Sequence, residues 1–214
     1  MIKNSISNPE FYEILDEDTN KLYYGCTQDW YSKFWQRMSG CGPSVASNVV
    51  LYINHNRYKF ETGKSYNNKK NCLLLMDDVW NYVTPTMKGV NNTKIFYEGV
   101  LSYVKEKGLN VDYDVLNIPK DKSSRPEFST LLNFIEISLQ KDSPVAFLNL
   151  HNGEEKELDK YHWVTIISLE YEKDSSRAYV EILDEGLIKK IDLLLWYNTT
   201  TLGGGFAYFA VKKN

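Results

Sequence analysis

Apolar residues recur at helical spacing through the first two-thirds of the chain and fall into short strand-like runs through the last third. Val45, Val49 and Ile53, with Ala46 and Val50 beside them, form one stripe and predict a helix over 43–56. Pro43 suits its first turn, where a missing N–H costs nothing. A second helix is predicted over 72–83, stopped by Pro85, and a third over 95–107, ended by Gly108. A fourth, over 127–141, carries Phe128, Leu131, Leu132, Ile135 and Leu139. Between the last two, residues 110–118 alternate like a strand. The opening 30 residues fit either a capped helix at Asn8-Pro9-Glu10 or a hairpin through Asp16–Lys21.

From Pro144 the period changes. Val145–Leu150 is a short apolar run, and strands are predicted over 162–171, 178–183, 188–193 and 206–212. Turn signals separate them at Asp174-Ser175-Ser176, Asp184-Glu185-Gly186 and Gly203-Gly204-Gly205, the last read as a flexible turn. The predicted fold class is α+β in a single domain over residues 1–214. A mostly helical lobe spans about 1–143, an antiparallel β lobe about 144–214, and a cleft lies between them. Residues 119–126 read as a surface loop.

A length of 214 residues with 43% hydrophobic positions is enough for one core. A net charge of −3 without a basic stripe argues against nucleic acid as the main partner. Lys69-Lys70 lies in the stretch 62–71, which reads as a solvated loop. No signal-like N-terminus and no membrane-length apolar run is present, so no membrane partner is expected. The reading is a soluble, cytoplasmic protein, or a secreted one if a leader has been removed. Oligomeric state does not follow. The three cysteines, Cys26, Cys41 and Cys72, cannot make a disulfide framework. Neither zinc-type Cys and His spacing nor a phosphate-binding glycine loop occurs, and no metal or organic cofactor is expected.

The chemistry concentrates at Ser39-Gly40-Cys41-Gly42-Pro43-Ser44, which puts a cysteine at a helix N-terminus. Unpaired amides and the positive end of the helix dipole favour a thiolate there. His162 heads an apolar strand and is the candidate base, with His151 as its fallback. His55 sits along the cysteine's own helix and points away. Cys26 and Cys72 read as inert packing residues, as do Trp163 and Trp196.

Cys41-Gly42-Pro43-Ser44-Val45-Ala46-Ser47-Asn48, the later His162-Trp163-Val164-Thr165-Ile166 strand and Ile182-Leu183-Asp184-Glu185-Gly186 resemble the C39-like branch of the papain-type cysteine peptidases. The resemblance implies a papain-like fold with Cys41 as nucleophile and His162 as base and then acid. It further implies Asp184 as the carboxylate that orients the histidine, with Glu185 and Asn198 as competitors. A glutamine ahead of the cysteine is implied as oxyanion donor. Gln36 is the best match, one residue short of the usual spacing, and Gln28 is a distant second. The expected activity is thiol-dependent hydrolysis of a peptide or amide bond through a thioester, the partner being a peptide or acyl substrate. Two alternatives stand beside it: an acyltransferase or amidase using the same site in a biosynthetic pathway, and a non-catalytic binding module.

Overall fold

The structure, a computed structural model, describes residues 1–58 and 67–212. Nine strands and six α-helices follow one another in it. β1 (Ile2–Ser5) precedes a hairpin of β2 (Glu13–Asp16) and β3 (Lys21–Tyr24). The helices α1 (Phe34–Ser39), α2 (Cys41–Tyr58), α3 (Lys69–Trp80) and α4 (Thr93–Glu106) come next. β4 (Val111–Ile118), α5 (Phe128–Gln140), β5 (Val145–Asn149), β6 (His162–Tyr171), β7 (Ala178–Asp184), β8 (Leu187–Asp192), α6 (Leu193–Thr199) and β9 (Gly204–Val211) complete the order.

Seven strands form one antiparallel sheet in the order β4-β9-β5-β6-β7-β8, with β1 extending the β5 edge of the long strand β6. Helix α2 lies against β6, β9 and β5. Its apolar stripe is broad, Val45, Ala46, Val49, Val50, Leu51, Tyr52 and Ile53 all being buried, as a helix enclosed by other layers requires. On the other side of α2, α3 and α4 bury Cys72, Met76, Val79, Phe96 and Val100. Each of these two helices is opened by an asparagine, Asn68 or Asn92, whose side chain accepts the amide three residues on.

The sheet draws β1 and β4 from ahead of residue 144, so its strands come from both sides of the expected lobe boundary. The opening segment takes the hairpin, β2–β3, and in place of a capped helix has only a single 3₁₀ turn at Pro9–Tyr12, which the Asn8 side chain does not cap. Of the expected loop at 62–71, residues 62–66 lie outside the described residues. Lys69 and Lys70 instead begin α3, and Lys69 Nζ sits 2.8 Å from Asp16 Oδ2. The glycine run is only in part a turn. Gly203 has φ +70, but Gly204 and Gly205 pair with both β5 and β4 inside the sheet. A Cβ at Gly204 would stand 2.1 Å from the Leu148 carbonyl oxygen and one at Gly205 2.3 Å from Thr93 Cγ2. Close approach, rather than flexibility, explains glycine at those two positions.

Candidate active site

The start of α2 is fixed by a glycine. α1 and α2 meet at Gly40, where a Cβ would lie 2.4 Å from the Gln36 carbonyl oxygen and 3.1 Å from Gln28 Cβ. Glycine therefore lets α2 begin hard against the short turn at Gln28–Trp30, with Cys41 as its first residue. Cys41 is partly buried and lines one cleft with His162 and Trp163, and the His162 side chain and the amides of Trp163 and Gly42 favour its thiolate.

His162 and Asp184 are brought together by strand register. β6 and β7 run antiparallel with Thr165 opposite Leu183, so Asp184 ends β7 beside the end of β6 that His162 begins. His162 Nε2 lies 2.7 Å from Asp184 Oδ1, so the carboxylate orients the ring and leaves Nδ1 as its other nitrogen. Asp184 is 4% exposed, and its second oxygen, Oδ2, accepts from Lys189 Nζ at 2.7 Å.

The charges follow from these contacts. Burial is the largest influence on Cys41 and pushes the thiol up, but the His162 hydrogen bond and charge, with the two amides, hold it below the ordinary thiol value. Burial likewise works against the His162 imidazolium. Asp184 on one side and Cys41 on the other outweigh it and push the pKa up to about 10. For Asp184, burial favours the neutral acid, and His162 and then Lys189 keep the carboxyl below the usual range. These influences favour a thiolate–imidazolium pair backed by a carboxylate, with the groups titrating together.

Cys41, His162 and Asp184 thus converge. Gln36 does not join them: it lies on α1, outside the cleft, while Gln28 lines the cleft with Cys41, Ser44, His162 and Asp184. Glu185 is at the rim in a left-handed conformation, φ 50, within the β7–β8 turn. Asn198 lies on α6, where its carbonyl accepts from Lys122. His151 Nδ1 accepts the Gly153 amide in a turn, and His55 stacks on Phe11. Among the described residues no cluster of three or more His, Cys, Asp or Glu side chains converges to hold a metal ion, and no helix is long and apolar enough to cross a membrane.

Two contributors escaped the sequence reading. Lys189 is one. Asn48 is the other: 2% exposed, it accepts the Cys26 amide at 2.7 Å and donates to Thr165 Oγ1 at 3.0 Å. It ties the segment carrying Gln28 to both α2 and β6, a role that its place in the Cys41–Asn48 motif could have suggested. Asn48→Leu strips partners from a buried amide and a buried hydroxyl at once and should cost about 2–4 kcal/mol, read as a lower urea midpoint.

A second cleft, of about 310 Å³, runs from Cys41 between α1, the loop 87–91 and the ends of β5 and β6. Trp35, Met38, Val90, Leu148, Leu150 and Tyr161 line it, with Met87 at its mouth. Met87 is 91% exposed, Tyr161 68% and Met38 66%, so apolar surface faces water around this cleft.

No family model matches this sequence, and no curated protein matches it either. Solved structures do match. UfSP from C. elegans, a cysteine protease, superposes with a TM-score of 0.53 at 12% identity, over 100% of this chain and 35% of that one. This chain therefore spans about a third of that protein's length. The fold is papain-like, an α+β arrangement with an antiparallel sheet. The likeness supports that fold without singling out the C39-like branch.

Proposed function

We propose that this chain is a cysteine hydrolase that cleaves a peptide or amide bond next to a large apolar side chain. The observation that carries the reading is the meeting of Cys41, His162 and Asp184 in one cleft, with His162 Nε2 2.7 Å from Asp184 Oδ1. The Cys41 thiolate attacks the carbonyl carbon. The oxyanion forms at the α2 N-terminus, where the Cys41 amide and the Gln28 side chain supply donors. The His162 imidazolium gives its proton to the departing amine as the C–N bond breaks. Neutral His162 then takes a proton from water, which attacks the thioester and releases the acid and the thiolate. Thr27 Oγ1, buried in the same cleft with no partner among the described residues, is available to a substrate polar group. The apolar cleft beginning at Cys41 suits a bulky side chain, since methionines adapt to varied shapes.

The test is turnover of peptide amides differing in the residue beside the scissile bond, with products weighed with and without an added amine. Cleavage should favour aromatic and long aliphatic residues. Gln28→Ala should lower kcat about 10²- to 10³-fold, while Gln36→Ala leaves it near the native value. Absence of turnover across the set, or the reverse order of the two glutamines, would contradict the reading. Amide products in place of acids would make it an acyltransferase.

A further inference from the structure

Behind the imidazole, the Asp184 carboxylate has a second partner on its far side. The β7–β8 hairpin turns tightly through Glu185, φ 50, and Gly186, φ 77, and its register sets Lys189 opposite Ile182. From there the Lys189 side chain, 21% exposed, reaches back across the hairpin to Asp184 Oδ2 at 2.7 Å. The two oxygens of one buried carboxylate are thus divided between the imidazole and the ammonium.

We propose that Lys189 is a positioning residue that fixes the Asp184 carboxylate on His162 and draws off part of its charge, so that the imidazolium remains acidic enough to surrender its proton to the leaving amine. The inference rests on the hydrolase reading above. A buried carboxylate serving the imidazolium alone would hold that proton too firmly, and general-acid transfer would slow. An ammonium at hydrogen-bond distance from the other oxygen opposes this directly, because its charge acts on the same group in a poorly screened setting.

The charges facing this arrangement are few. His162 faces Cys41 of α2 and Asp184 of β7. Lys189 faces Asp184, then Glu185 of the turn, 4.0 Å away, and Asp159 of the loop before β6. Burial favours a neutral Lys189, but its bond and attraction to Asp184, with Glu185 and Asp159 adding, hold it above the ordinary lysine value.

The experiment is the pH dependence of Cys41 alkylation by iodoacetamide, followed by mass at that residue, in the native protein and in Lys189→Met and Lys189→Arg. The native profile should have two inflections, a lower one where the thiolate–imidazolium pair forms and an upper one where the imidazolium loses its proton. In Lys189→Met the upper inflection should move up by about one pH unit, while Lys189→Arg, which keeps the charge, leaves it in place. A purely structural role would lower reactivity in Lys189→Met without raising that inflection. An unmoved or lowered inflection there would overturn the proposal. A single inflection at the ordinary thiol value in the native protein would instead overturn the hydrolase reading, which keeps the two failures distinct.

Discussion

Cys41→Ala should abolish turnover, with a fall on the order of 10⁶-fold in kcat, and His162→Ala should cost nearly as much. The two losses should not add in the double variant, because a thiol without its imidazole and an imidazole without its thiol are equally unable to form the thioester. Structural damage is not the cause foreseen, since Cys41 is only partly buried and alanine suits a helix start. Single-turnover assays beside far-UV circular dichroism separate the two causes. A Cys41→Ala protein that keeps a substantial fraction of native turnover would remove the nucleophile assignment.

The largest effect on stability should come from Trp163→Ala, at about 3–5 kcal/mol, a large share of the roughly 5–15 kcal/mol that hold a domain folded. Trp163 is 2% exposed and stacks on Phe96 with centroids 4.2 Å apart. Its indole Nε1 donates to the Val90 carbonyl at 2.6 Å, fastening the loop 87–91 that walls the apolar cleft. Its amide also helps to hold the Cys41 thiol below the ordinary value. Trp163→Phe retains the stack but leaves the Val90 carbonyl unpaired, and should cost about 1–3 kcal/mol while raising KM more than it lowers kcat. Urea titration measures the first pair of values and steady-state kinetics the second.

Local chemistry made α2, the β6–β7–β8 meander and the helices α4 and α5 legible, because long apolar periods, prolines and turn glycines agreed within each segment. The ends were less legible. α3 begins at Lys69 because Asn68 caps it and distant Asp16 pairs with that lysine, which no reading of 62–71 as a loop could contain. α6 was hidden inside the apolar run Leu193-Leu194-Leu195-Trp196, which also suits a strand. The sign that it is a helix is Asp192, whose side chain accepts the Leu195 amide. β1 is four residues long, and its partner is β6, far along the chain.

At the site, the residues that short motifs flank were visible and those that only tertiary packing delivers were not. Gln36 was attractive by spacing, but α1 intervenes and carries it out of the cleft, and the earlier turn brings in Gln28. Lys189 meets Asp184 diagonally across a hairpin, a contact that depends on turn geometry and register rather than on any pattern of residue types.

The alkylation rate of Cys41 below neutrality reports whether its sulfur is an anion held by His162. At pH 6 Cys41 should react with iodoacetamide at close to its neutral rate, and His162→Ala should abolish this acid-side reactivity. A rate that is negligible at pH 6 and climbs only toward the ordinary thiol range near 8.5, unchanged by His162→Ala, would contradict it.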